Sequence, residues 1–170
     1  MTVVSNHDTQ PLQALEAPVD PWFKPIAYAL ILLRDEGYPC VFYPDLYGAH
    51  YIGKGNDGSD QESFLDVCEN LEKLLLARKN YAFGAQRDYF DHDNCIGWTR
   101  EGTDENENSG CAVLLSNGDE GFKNMEIGSK FAGKVFKDFL EKHPAQVTIN
   151  NDGWGEFYVT PGSVSIWICQ

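Results

Sequence analysis

Positive charge, paired cysteine motifs and long apolar runs are all scarce in this sequence. Lys and Arg total 13 against 26 Asp and Glu, a formal net charge of -13 over 170 residues. Such a surface repels phosphate backbones and anionic lipid, which argues against nucleic acid and membrane surfaces as partners. No apolar run approaches the ~20 residues of a membrane span. Five cysteines (Cys40, Cys68, Cys95, Cys111 and Cys169) are widely spaced and form no CxxC pair. Their spacing suits neither a zinc site nor a small disulfide scaffold, and an odd count leaves one unpaired. Mostly buried free thiols are expected, which favours a reducing, cytoplasmic setting. Residues 1–8 carry no basic or apolar leader, so no signal peptide is expected. No internal repeat stands out.

What is present suffices for a core. Hydrophobic residues make up 42% and charged residues 23%, fitting one domain or two small ones. The first half alternates strand and helix. Thr2-Val3-Val4 reads as a strand, Leu12 to Ala17 as a short helical turn, and Trp22 to Arg34 as a buried helix behind Asp20-Pro21. Cys40 to Tyr43 reads as a second strand buried on both faces. Pro44 to Asp60 is expected to be loop. A second helix is expected from Ser59 or Asp60, with Phe64, Cys68, Leu71 and Leu75 at helical spacing. Strand and helix in that rhythm indicate βα units of a parallel sheet.

After Gly84 the rhythm changes. Short alternating runs at 88–90, 95–99, 111–115, 125–127, 135–137, 146–149, 156–159 and 163–168 are separated by turns such as Asn117-Gly118, Asp152-Gly153 and Pro161-Gly162. They predict an antiparallel, Greek-key sandwich. The boundary falls near Gly84, giving an α/β piece at 1–84 and an all-β piece at 85–170. The acidic stretch 101–108 reads as a solvated hairpin loop. Trp98 and Trp167 are expected in the core, Trp154 in a turn, and His50, His92 and His143 in loops.

Asn6-His7-Asp8 follows the first strand, and active sites of parallel α/β folds gather at carboxyl ends of strands. A His and an Asp there can bind a ligand and stabilise positive charge. In isolation the same residues also fit an ordinary loop, with Asp8 capping the next turn.

Asn6-His7-Asp8-Thr9-Gln10 resembles the strand-seven motif of the alpha-amylases, (β/α)8-barrel glycoside hydrolases with a C-terminal β-sandwich. The resemblance continues through Asp20 to Ala29 and Gly37 to Tyr43, similar to the helix and eighth strand that follow. It extends through Gly97-Trp98-Thr99-Arg100-Glu101-Gly102 and Asn150 to Phe157, which resemble the terminal domain of liquefying-type amylases. It implies the last two βα units of a TIM barrel followed by the sandwich. It also implies endo-hydrolysis, with retention, of α-1,4-glucosidic bonds in starch or glycogen, by a protein monomeric when full length. Retaining enzymes set a nucleophile and an acid/base carboxyl about 5–5.5 Å apart. In the family these lie on strands four and five, which have no counterpart here, and no Gly-x-Arg-x-Asp pattern occurs. Asp8 matches the third carboxylate, which supports the transition state, while His7 and Asn6 match substrate-binding positions. The expectation is a C-terminal portion, inactive alone. The resemblance also implies a calcium ion between barrel and terminal domain, held by loops near Asp93, Asn94 and Asn117 and by the loop after strand eight, with Asn at two positions where relatives carry Asp, which weakens the site. Tyr43-Pro44-Asp45 departs from the family's Tyr-Gly-Asp, leaving Asp45 as a polar rim residue. The rival reading is a non-catalytic carbohydrate-binding or interaction protein, with Trp154 stacking on sugar.

Overall fold

The computed structural model describes residues 1–170. Its first half is built around one parallel pair. Strand β1 (Thr2–Val3) and β2 (Pro39–Cys40) align Thr2 with Pro39 and Val3 with Cys40. Helix α1 (Lys24–Leu33) lies between them in the chain. The Asp20 carbonyl accepts the Phe23 and Lys24 amides at 2.9 and 3.1 Å, and Pro25 sits in the first turn, where its missing N–H costs nothing. Ile26, Tyr28, Ala29, Leu32 and Leu33 are buried. The region 12–17 forms only turns.

Three expectations for this half are corrected. The second strand is two residues long and Cys40 is exposed: Val41 and Phe42 leave the strand ahead of a short helix α2 (Tyr43–Tyr47) with Pro44 in its first turn. The segment read as loop instead holds a hairpin, β3 (Ala49–Lys54) against β4 (Asp60–Leu65). Asp57-Gly58 turns it: the Asp57 carboxylate accepts the Ser59 amide at 2.9 Å, and Gly58 takes φ +80°. His50 therefore lies in a strand, stacked on Phe64 at 4.3 Å between ring centres. The second helix, α3 (Leu71–Asn80), begins well after the expected start at Ser59 or Asp60. Phe64 and Cys68 fall at helical spacing with Leu71 and Leu75, yet Phe64 belongs to β4.

The second half matches the alternation closely. Strands β5 (Gln86–Tyr89), β6 (Cys95–Arg100), β7 (Cys111–Ser116), β8 (Gly121–Glu126), β9 (Val135–Asp138), β10 (Gln146–Thr148), β11 (Trp154–Val159) and β12 (Val164–Cys169) follow in order. Six of them form one antiparallel sheet in the order β10-β9-β12-β7-β6-β5, while β8 and β11 pair separately as a two-stranded ribbon. The chain crosses to the ribbon twice, and β12 returns to lie between β9 and β7. The protein is thus rich in β-structure, with mostly antiparallel pairing.

The six-stranded sheet is covered on both faces, and β7 shows how. Cys111, Val113 and Leu115 join Tyr28, Leu32 and Leu33 of α1 and Leu71 and Leu74 of α3 in one cluster. Ala112 and Leu114 join Met125, Phe157 and Trp167 under the ribbon in a second. A strand buried on both faces reads as a continuous apolar run, as Cys-Ala-Val-Leu-Leu does. Trp98 and Trp167 lie fully inside these clusters.

Truncating Leu114 to Ala is expected to destabilise the fold by about 2–5 kcal/mol, the range for a buried leucine. Leu76→Ala, on the exposed side of α3, should stay within about 0.5 kcal/mol. Urea unfolding of the two variants measures the difference.

Candidate functional site

The turn after β1 is held by Asn6. Its Oδ1 accepts the amides of Asp8 at 2.8 Å and Thr9 at 3.0 Å. This Asx turn fixes the backbone so that the next two side chains project outward. His7 and Asp8 are 83% and 61% exposed, with His7 Nε2 3.3 Å from Asp8 Oδ1. The structure therefore brings the three motif residues together and gives Asn6 a backbone-holding role. His7 and Asp8 remain open to a ligand.

Behind this turn lies a hollow of about 190 Å³ lined by Thr9, Gln10, Lys24, Phe42, Asp45 and Cys68, among others. Asp45 forms its floor, only 1% exposed, which corrects the expectation of a rim residue. One carboxylate oxygen takes Lys24 Nζ at 2.5 Å and the other takes the Tyr28 hydroxyl at 2.6 Å. The Tyr28 oxygen in turn accepts the Phe42 amide at 3.3 Å, and the Asp45 carbonyl accepts the Cys68 amide at 2.7 Å. The hub ties α1, α2 and the segment before α3 to one point. Its signal in the sequence is faint: Lys24 and Tyr28 are one helical turn apart, but nothing local names Asp45 as their partner. Burial, and then the bond to Asp45, raise Tyr28 far above the ordinary phenol range. Burial and the Asp45 charge push the Cys68 thiol up to about 12.

Asp93, Asn94 and Asn117 do meet. The Asn117 amide donates to the Asn94 carbonyl at 3.2 Å, and all three border a hollow of about 430 Å³. Its other walls are Val3, Val4, Phe23, Ile26, Leu30 and further apolar side chains. One carboxylate among amides and hydrocarbon does not fit calcium, which takes 6–8 oxygens with several carboxylates. No cluster of three His, Cys, Asp or Glu suited to a metal ion occurs in the chain. Trp154 is partly exposed at 38%, edge-on to Tyr89 at 6.2 Å. His92 stays in a loop, and His143 stacks on Tyr158 at 5.1 Å. No helix is long and apolar enough to cross a membrane.

Removing the carboxylate by Asp45→Ala strands the nearly buried Lys24 ammonium, with an expected loss of about 3 kcal/mol. Tyr28→Phe should cost only about 1 kcal/mol. Denaturant titration orders the two. The buried thiols add a pH dependence. Cys68 and Cys111 are both raised to about 12, chiefly by burial, from about 8.5 in the unfolded chain. Above that unfolded value only the unfolded chain loses these protons. Their contribution to stability is therefore intact at neutral pH and declines as pH rises toward 12. A thiol reagent at pH 8 should modify Cys40 at once, and Cys68 and Cys111 only after denaturant is added.

A family model described as alpha-amylase C-terminal matches residues 111–168. The chain is 51% identical, over its full length, to the cytoplasmic alpha-amylase of Escherichia coli (strain K12), covering 34% of that protein. It is 51% identical over 168 residues to an alpha-amylase of Geobacillus stearothermophilus, covering 29% of it. It is 48% identical over 168 residues to the glucan 1,4-alpha-maltohexaosidase of Bacillus sp. (strain 707), covering 30%. The chain thus spans about a third of the length of these relatives. Among solved structures, an Anoxybacillus alpha-amylase superposes over 99% of this chain and 37% of its own with a TM-score of 0.63 at 17% identity, which speaks for the fold. A family model on residues 111–168, joined to half-identical sequence from end to end, matches this chain to the C-terminal third of alpha-amylases.

Proposed function

We propose that this chain supplies the strand-seven substrate site and the terminal domain of an alpha-amylase that hydrolyses α-1,4-glucan with retention. Residues 1–84 are then the last two βα units of its catalytic barrel, and 85–170 its β-sandwich. The observation that carries the reading is the placement of Asn6-His7-Asp8 directly after β1, the strand paired in parallel with β2 across α1. That is where barrel enzymes carry their chemistry.

In this reading Asp8 faces the sugar ring as its anomeric carbon gains positive charge. A carboxylate there accelerates the reaction to the extent that its attraction grows in the transition state. His7 donates to a sugar hydroxyl in the cleavage subsite, and Asn6 holds the turn that aims both. Nucleophile and acid/base carboxyl come from preceding strands, so the 170 residues alone bind but do not cleave. Calcium is no part of the reading, since Asp93, Asn94 and Asn117 do not form a fitting donor set. A cytoplasmic setting is supported by the name of the Escherichia coli relative.

The test is a chimera in which this chain replaces the matching third of that relative. It should release reducing ends from amylose, whereas the 170-residue chain should release none. Asp8→Asn in the chimera should lower kcat about 10²–10³-fold, the scale for losing one transition-state contact. His7→Ala should raise KM more than it lowers kcat. An Asp8→Asn chimera with undiminished kcat would sink the assignment.

A further inference from the structure

The outward face of the β8–β11 ribbon, flanked at one end by Arg87 and Tyr89 of β5, is otherwise uncovered and carries an ordered pattern. Three cross-strand pairs project there: Trp154 opposite Glu126, Glu156 opposite Asn124, and Tyr158 opposite Phe122. The inward residues between them, Gly155, Phe157 and Val159, are buried. Aromatic rings therefore stand at both ends of the face, with carboxylate and amide groups between. Trp154 and Tyr158 are four residues apart on one strand, so the ends are separated by ~13 Å.

Each ring is braced. Trp154 rests edge-on against Tyr89, whose hydroxyl accepts the Glu126 amide at 2.8 Å. Its own amide donates to Asn150 Oδ1 at 2.9 Å, within a turn that needs Gly153 at φ +86°. Tyr158 lies 6.4 Å from Phe122 and parallel to His143 on its other side. Phe122 is nonetheless 60% exposed. Beside this face opens a cleft of about 610 Å³ lined by Tyr89, Asp119, Glu120, Phe122 and Asn124, within the ~300–1,000 Å³ range of small-molecule sites.

We propose that this ribbon face is an α-1,4-glucan binding surface separate from the strand-end site. The inference rests on the reading of α-glucan as substrate. A sugar ring offers an apolar CH face to Trp154 or Phe122 and hydroxyls to Asn124, Glu126 and Glu156. Glu126 pairs with Arg87 and Glu156 takes the Tyr158 hydroxyl, yet an apolar protein partner would still desolvate both carboxylates and leave the Asn124 amide without a hydrogen bond, a cost that sugar hydroxyls avoid. An anionic ligand is disfavoured by the carboxylates and the net charge of -13. The rings are fixed before binding, which limits the entropy lost in ordering them.

Native gel electrophoresis through amylose, with dextran as control, tests the surface. The 170-residue chain should be retarded by amylose and not by dextran. Trp154→Ala and Phe122→Ser should each weaken retardation about tenfold, as truncating a central aromatic contact does, and Trp154→Phe should recover part of it. In the chimera, the same variants should keep kcat on a short soluble maltooligosaccharide, while Asp8→Asn lowers kcat as stated above and leaves retardation in place. Wild-type mobility unaffected by amylose, equal retardation by dextran, or full binding by both Trp154→Ala and Phe122→Ser would overturn the proposal. None of these outcomes touches the Asp8 reading, which is decided by kcat. Circular dichroism of the variants confirms that binding is lost without loss of fold.

Discussion

Helix α1 cannot satisfy its own ends, and much of the structure is arranged to do it. The helix has no acidic residue in its first turn and no basic residue in its last. Its macrodipole and terminal carbonyls must therefore be met from elsewhere. At the N-terminal end the Asp45 carboxylate supplies the negative charge and also holds Lys24. At the other end the Leu33 carbonyl accepts Trp98 Nε1 and Arg100 Nη1, each at 3.3 Å, and the Leu32 carbonyl accepts Arg78 Nη1. Trp98 and Arg100 belong to β6, and Arg78 to α3. The C-terminal cap thus ties α1 to β6 and to α3.

This borrowed capping fixes the geometry of the candidate site. With α1 locked onto β6 and α3, its N-terminal turn meets α2 through Asp45. That segment closes the hollow behind Thr9 and Gln10 and so limits where the Asn6 turn can lie. Arg34 reinforces the arrangement through a two-pronged pair with Asp88 on β5, at 2.7 and 3.1 Å, while its guanidinium lies over Phe90 at 5.0 Å. The exposed His7 and Asp8 are thereby carried on a backbone whose supports reach into both halves of the chain.

The sandwich was legible because its strands are mostly wet on one face or bounded by sharp turns. Asn117-Gly118, Asp152-Gly153 and Pro161-Gly162 mark strand ends that periodicity alone leaves loose. The β3–β4 hairpin escaped for the opposite reason. Its residues are largely exposed, Asp60 to Glu62 on β4 included, so no apolar rhythm marks it, and Asp57-Gly58 was its single local signal. The late start of α3 is a case of accidental period, since Phe64 and Cys68 align with Leu71 and Leu75 although Phe64 pairs across a hairpin. The Asp45 hub was illegible in principle: a buried carboxylate is specified by partners 17 and 21 residues away, a separation that no window reports.

The two proposed glucan contacts sit on elements of different length, held in different ways. His7 and Asp8 follow a strand of two residues, steadied by one asparagine side chain and a buried ion pair beneath. Trp154 and Tyr158 stand on a six-residue strand whose alternate side chains are locked into the core. A group that stabilises charge developing on a reacting ring gains from being held in place beforehand, as the Asn6 turn holds Asp8. A surface that holds one stretch of a long polymer gains from rings already in place. A neutral glucan long enough to reach both meets an acidic protein without electrostatic penalty, so the charge that excludes phosphate polymers leaves this one free to bind.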